Sequence, residues 1–532
     1  MPSRPLKPSR WLLCFLLILV PAAASAAPPA QFEQRAEALR REFGAPGLTV
    51  AIVEQGRVTM ARGFGVTDLA SPHPVTADTN FQIGSVTKAF TAAALAILVD
   101  EGRLAWDDRV IDHMAEFRMF DPWVTREMTI RDLLVHRSGL GLGAGDLLMV
   151  PTSSLSRADI VERLGRIPPA TSFRSSYAYD NILYIVAGRL IERVSGMTWE
   201  RFMEERVLRP AGMTRATVDN AARGDPAQIA HPHARLNGAI RGLGDMVRLG
   251  DTVVIPQLAG PAGGIAASAN DMARWIIVQL AHGALPGGGR LFSEAASTEM
   301  WRPAVLMPEG NLPPPLDATQ PLFNTYAFGW QVRDYRGERI VMHGGGVYGS
   351  ITRLVLIPGR NIGFFLATNS EEAALLTGLE FELLDHYLGA PRQDWPHAFQ
   401  AFLTQRYNAA VAALSAPAAA PAQAGPSLPL GRYAGDYRDP WFGTIRIRAE
   451  NGTLAVAFPH WPGISATLAH WQYDTFKMRF NDPGVEPAYV TFQLDADGRP
   501  DRITMRAVSP VADFSFDYQD LAFRRVEGRP SH

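Results

Sequence analysis

At 532 residues the chain exceeds one ordinary domain and is long enough to bury a large core, so two or three folded units are expected. Its basic and acidic residues nearly balance, 51 against 53, which excludes the strongly cationic surface of a nucleic-acid binder. The single cysteine, Cys14, sits in an apolar N-terminal run, so the chain beyond it has no disulfide, no thiolate metal site and no cysteine nucleophile.

Arg4, Lys7 and Arg10 precede an apolar run from Trp11 to Val20, followed by Pro21 and small residues ending in Ala24-Ser25-Ala26. That order predicts a signal peptide over 1–26, cleaved after Ala26, with export to the periplasm or medium and no stable membrane insertion afterwards. Cleavage leaves 48 basic against 53 acidic residues, a net charge of −5. Gln31 to Phe43 then reads as an amphipathic helix, and Gly47 to Phe64 as a hairpin turning at Glu54-Gln55-Gly56. An Ala- and Leu-rich helix is predicted from about Ser85 to Glu101, stopping at Gly102. Further helical stretches fall near Ile130 to Leu134, Asn181 to Val194 and Ala269 to His282. Strand composition returns at Gly329 to Tyr335, Ser350 to Ile357 and Ile362 to Thr368, the last two joined by Pro358-Gly359-Arg360-Asn361. Strands at both ends with helices between them predict an α+β domain: one antiparallel sheet shared by the two ends, with the helices as a separate layer. Ala412 to Leu430 is rich in Ala and Pro and reads as an extended linker. From Gly431 to about Arg525 short alternating, aromatic-rich runs predict a small all-β unit, a barrel or a sandwich.

The chemistry is signalled by lysine usage. Lys7, Lys88 and Lys477 are the only lysines, and Lys7 leaves with the signal peptide. A chain that uses arginine almost everywhere keeps a lysine three residues after Ser85, near the start of an apolar helix. Arginine is never deprotonated in a protein, whereas a desolvated lysine loses its proton and accepts one from a neighbouring hydroxyl. Residues three apart share a helix face, so Ser85 and Lys88 form a nucleophile and its activator on one rigid element.

Phe81-Gln82-Ile83-Gly84-Ser85-Val86-Thr87-Lys88 resembles the active-site serine motif of the serine β-lactamase and penicillin-binding protein superfamily, in its class C and esterase-like branch. Tyr179-Asp180-Asn181 resembles that family's Tyr-x-Asn motif. The resemblance implies that Tyr179 exchanges protons with the serine and leaving group and that Asn181 binds the substrate carbonyl, with Tyr177 left to packing. His343-Gly344-Gly345-Gly346 stands where relatives carry Lys-Thr-Gly or His-Thr-Gly. By the same resemblance His343 takes the cationic or hydrogen-bonding place and, with Asn181 and Gly345, binds the substrate, while the backbone N–H groups of Ser85 and Gly346 form the oxyanion hole. Gly344 departs from the usual threonine, so the hydroxyl that often holds a substrate carboxylate is missing. Leu133 to Leu140 and Gly260 to Ile265 are similar to structural signatures of the family, and His136 within the first reads as structural.

The resemblance implies a β-lactamase-like antiparallel sheet with a helical layer, no cofactor, and a small-molecule or peptide substrate. It divides the chain into the signal peptide 1–26, a serine hydrolase domain 27–395, a helix and Ala/Pro-rich linker 396–430, and a barrel 431–526. Gly431 to Tyr437 and His470 to Phe476 resemble the lipocalin-like domain of some exported members, for which three roles stay open: a cap on the cleft, a homo-oligomer contact, or a passive appendage. Esterase, D-amino-acid peptidase and β-lactamase activity stay open too, beside a penicillin-binding or sensor-like protein that acylates with little turnover. An α/β-hydrolase is disfavoured, because no Gly-x-Ser-x-Gly elbow occurs. His231-Pro232-His233 lacks a carboxylate or cysteine beside it and reads as a solvated loop, so no metal is expected.

Overall fold

The computed structural model describes residues 27–218, 225–250, 255–415 and 425–526. The signal-peptide segment and Cys14 lie outside the described residues, as does 416–424 of the linker.

Helix α1 (Phe32–Glu42) leads into the hairpin of β1 (Gly47–Glu54) and β2 (Arg57–Gly65), whose two turn residues Gln55 and Gly56 both take positive φ, 50° and 73°, as a tight hairpin of the right twist requires. The remaining strands of this sheet come late in the chain: β3 (Val305–Leu306), β4 (Asn324–Tyr326), β5 (Gln331–Tyr335), β6 (Glu338–Val347), β7 (Ser350–Ile357) and β8 (Ile362–Thr368). The spatial order is β2-β1-β8-β7-β6-β5-β4-β3, antiparallel throughout. The two ends of the domain therefore meet in one sheet, with Leu48 opposite Thr368 and Glu54 opposite Ile362.

Every residue of β1 is buried, so both faces of the sheet are covered. Helices α2 (Thr87–Asp100), α3 (Ile182–Ser195) and α4 (Ala269–Leu280) share one core with Ala51, Val53, Phe365 and Ala367. On the other face α1 and α5 (Ala373–Leu388) share a second core with Leu48, Val50, Ile52, Phe364 and Leu366. The helices thus flank the sheet as expected, and they do so on both of its faces. The stretch Ile130 to Leu134 contracts to a single turn, Asp132–Leu134, ended by His136 at φ 56°. Helix α6 runs from Trp395 to Ser415, so the Ala/Pro-rich stretch begins as helix; alanine favours helix and the first proline of the stretch is Pro417.

The C-terminal unit is a closed barrel of eight strands in chain order: β9 (Gly435–Asp439), β10 (Gly443–Glu450), β11 (Thr453–Ala457), β12 (Ser465–Gln472), β13 (Thr475–Phe480), β14 (Ala488–Leu494), β15 (Pro500–Ala507) and β16 (Ala522–Arg525). Its interior is packed with side chains, among them Tyr433, Tyr437, Phe476 and Phe492 in edge-on contact. The barrel docks on the first domain through specific bonds. Trp461 Nε1 donates to the Leu147 carbonyl at 3.0 Å, and Arg163 donates to the carbonyls of Trp441 and Phe442 at 2.8 and 2.7 Å. The segment 508–521 between β15 and β16 reaches back toward the first domain. Among the described residues no helix is long and apolar enough to cross a membrane.

Candidate active site

Ser85 lies in a 3-10 turn, Gly84–Val86, that runs straight into α2. Gly84 has φ +53°, and a Cβ there would stand 3.0 Å from the Gly346 nitrogen, so only glycine lets the turn lie against β6. Gly345 makes the same point from the strand side: a Cβ on it would be 2.0 Å from the Ile83 carbonyl oxygen. Thr352, opposite Gly345 on β7, donates to that same oxygen at 2.9 Å and fixes the turn. Gly345 thus packs under the serine turn, where only glycine fits, between His343 and Gly346, which line the cavity.

Lys88 is fully buried, and its amine has three partners: Ser85 Oγ at 3.1 Å, Asn181 Oδ1 at 2.6 Å and the Ala262 carbonyl at 3.0 Å. The two amide oxygens are acceptors only, so they take two N–H bonds, and the third direction of a neutral amine, its lone pair, faces the serine hydroxyl. Burial holds the ammonium down to about 7, against the pull of the Asp146 and Asp180 carboxylates. Near neutral pH the amine is thus available as a base for the Ser85 proton. The segment Gly260 to Ile265 supplies the Ala262 carbonyl and, through Pro261, accepts the Thr91 hydroxyl at 2.8 Å, so this structural signature is the floor beneath the lysine.

Tyr179 and Asn181 both reach the centre. Tyr179 lines the same cavity as Ser85, and the Lys88 amine lies 4.8 Å from its ring centre. Burial pushes the phenol well above its ordinary range, so it is neutral and able to pass a proton on. Asn181 occupies the N-cap of α3, yet its side chain makes no cap bond; Asp180 accepts from the Leu183 N–H instead. The amide of Asn181 bridges Lys88 and Asp146. Tyr177 packs edge-on to His136, 5.8 Å between ring centres. His136 is buried and accepts the Asp180 N–H at 3.2 Å, in a structural place.

His343 is buried beside the site and pushed down to about 3, by burial and then by the Lys88 charge. Its Nδ1 donates to the Gly344 carbonyl at 2.6 Å, which leaves Nε2 to accept the Tyr326 hydroxyl at 2.8 Å. Of the two places open to it, the neutral hydrogen-bonding one applies. A side chain on Gly344 would meet the Arg353 guanidinium at 2.9 Å, itself tied to Glu380 at 3.1 Å, so Arg353 fills the space a threonine would need. His233, read from sequence as solvated, is buried: Nδ1 donates to the Asn369 carbonyl at 3.1 Å and Nε2 accepts the Leu69 N–H at 3.2 Å.

Sequence reasoning missed two contributions. Asp146 is wholly buried, accepts Asn181 Nδ2 at 2.8 Å, and is pushed up by burial to about 7. The barrel segment 508–521 lays Phe514 edge-on to the Tyr179 ring at 5.8 Å and donates the Ser515 hydroxyl to Asp146 at 2.8 Å. The only sequence signal is an acidic residue closing the glycine-rich run Gly141 to Gly145, and nothing in it points 369 residues downstream. The cavity over Ser85, about 550 Å³, is walled on one side by Val347 and Ile351 and on the other by Val511, Phe514 and Phe516 of the barrel.

A family model described as Beta-lactamase matches residues 32–387. The chain belongs to the Beta-lactamase family. A second model, described as a domain of unknown function (DUF3471), matches residues 419–525 and so covers the barrel. Within the family, the chain is 30% identical to an unguisins hydrolase of Aspergillus campestris over 86% of this chain and 85% of that one. It is 29% identical to penicillin-binding protein 4 of Amycolatopsis lactamdurans over 68% of this chain and 90% of that one. Among solved structures, the octameric penicillin-binding protein homologue from Pyrococcus abyssi shares the fold, with TM-score 0.58 at 19% identity over 93% of this chain and 99% of that one. The class C β-lactamase from Rhodobacter sphaeroides aligns at TM-score 0.51 and 21% identity over 67% of this chain and 99% of that one. This Beta-lactamase-family chain is thus a member of the serine hydrolase superfamily of β-lactamase and penicillin-binding type.

Proposed function

We propose that the protein is an exported serine hydrolase that cleaves an ester or amide bond through an acyl-enzyme on Ser85. The observation that carries this reading is the Lys88 amine, buried, held to about 7, and aimed by two carbonyl acceptors so that its free direction faces Ser85 Oγ. Ser85 Oγ attacks the substrate carbonyl carbon as its proton passes to Lys88. The oxyanion that forms is received by the N–H groups of Ser85 and Gly346, Asn181 orients the substrate, and neutral His343, its ring nitrogens taken by Gly344 and Tyr326, shapes the cavity wall. Collapse expels the leaving group with the proton relayed through Tyr179, leaving Ser85 acylated. Water, deprotonated by the same groups, then frees the acid and restores the serine. The relatives named hydrolases favour turnover over a silent binder.

The apolar walls suit an acyl or amine portion of a small molecule or short peptide, with no cofactor and no nucleic acid. Glycine at 344 lacks the hydroxyl that often holds a substrate carboxylate, which disfavours substrates recognised by that group, β-lactams included. Homo-oligomerisation through the barrel is part of the proposal, and light scattering of the purified protein tests it. The activity is tested with p-nitrophenyl esters, D-amino-acid amides and a chromogenic cephalosporin, alongside a fluorescent phosphonate. Ester or amide turnover with phosphonate label on Ser85 is expected. Label without turnover of any substrate would point to a sensor, and neither label nor turnover would sink the hydrolase reading.

A further inference from the structure

A continuous line of hydrogen bonds joins the barrel to the nucleophile. Ser515, on the segment between β15 and β16, donates to Asp146 Oδ2 at 2.8 Å. The same oxygen accepts Asn181 Nδ2 at 2.8 Å, Asn181 Oδ1 accepts the Lys88 amine at 2.6 Å, and the amine meets Ser85 Oγ at 3.1 Å. The segment is anchored beside this line, since Asp517 accepts the Gly145 N–H at 3.1 Å, next in sequence to Asp146.

An amide side chain can meet a neutral amine with either end, its oxygen accepting an N–H or its NH₂ donating to the lone pair. Here the choice is made by Asp146, an acceptor that demands the NH₂ end and so turns Oδ1 toward Lys88. Asp146 is in turn held by a hydroxyl that belongs to another domain. We propose that Asp146 and the barrel residue Ser515 are positioning residues for the reaction at Ser85, holding Asn181 and through it the Lys88 amine in the orientation that takes the serine proton, so that the barrel completes the active site. This rests on the acyl-enzyme reading above and gives the barrel a role in chemistry as well as in walling the cavity.

The charges around the line set the sign of a pH test. Lys88 faces Asp146 and Asp180, with His343 also close; Asp146 faces Lys88 together with Asp513 and Asp517 of the barrel segment. The Ser515 hydrogen bond favours the Asp146 carboxylate, and that carboxylate favours the Lys88 ammonium. Removing either eases deprotonation of Lys88, so labelling of Ser85 rises at lower pH, while loss of the tether lowers its plateau.

The test is the pH dependence of Ser85 labelling by a fluorescent phosphonate in the full-length protein. Ser515→Ala is expected to lower the plateau about tenfold, and Ser515→Thr, which keeps the hydroxyl, to restore it. Asp146→Asn keeps an acceptor but removes the charge, and its midpoint is expected about one pH unit lower. Wild-type plateau and midpoint in Ser515→Ala, a half-buried site whose truncation leaves the core intact, overturn the proposal even if Asp146→Asn does not fold. That result leaves the acyl-enzyme reading standing, whereas equal labelling of Ser85→Ala overturns both.

Discussion

At the residue scale the decisive choice is lysine over arginine at position 88. Because the amine is held to about 7 and acts as a base only when deprotonated, acylation is expected to rise with pH through about 7 and to fade below it, read from the initial rate of phosphonate labelling. Ser85→Ala is expected to abolish both labelling and hydrolysis with the melting temperature little changed. Lys88 was legible because lysine is so scarce in this chain, and Tyr179 and Asn181 because they precede a clear helix. Asp146 was not legible: a carboxylate among glycines and leucines acquires its meaning only from Asn181 and Ser515, which the fold brings to it. His343 was legible as a position, but its neutral state depends on burial and on the Tyr326 hydroxyl, neither of which the local sequence reveals.

At the element scale, the hairpin β1–β2 and the strands β7 and β8 follow from alternation and turn residues, and their bounds came within a residue or so of those read from sequence. Which helix covers which side was not legible, because strands buried on both faces read as apolar runs. The serine turn fits closely against β6. Gly345→Ala, whose Cβ would stand 2.0 Å from the Ile83 oxygen, is expected to displace the turn and cut labelling by about 10²–10³, the loss typical of a removed oxyanion donor. Gly346→Ala, where nothing lies within 4 Å of the new Cβ, is expected to leave the melting temperature unchanged; differential scanning fluorimetry of the pair checks both.

At the scale of the whole molecule, the barrel was legible as a separate unit, but its docking was not, since the contacts join segments hundreds of residues apart. Trp461 is almost fully buried and donates to the Leu147 carbonyl, one residue beyond Asp146. Trp461→Ala is expected to cost about 3–5 kcal/mol in denaturant unfolding and to slow Ser85 labelling as the segment 508–521 loses its seat. A large stability loss with unaltered labelling would separate the barrel from the chemistry.

The central claim is that a titratable amine at position 88 activates Ser85, and the most direct measurement is phosphonate labelling of Lys88→Arg beside the wild type from pH 5 to 9, with the labelled residue located by mass spectrometry. Label is expected on Ser85 in the wild type, rising through about pH 7, with a rate at least about 100-fold lower in Lys88→Arg at every pH and the fold intact by circular dichroism. Comparable labelling of the arginine variant, or label on another residue of the wild type, would contradict it.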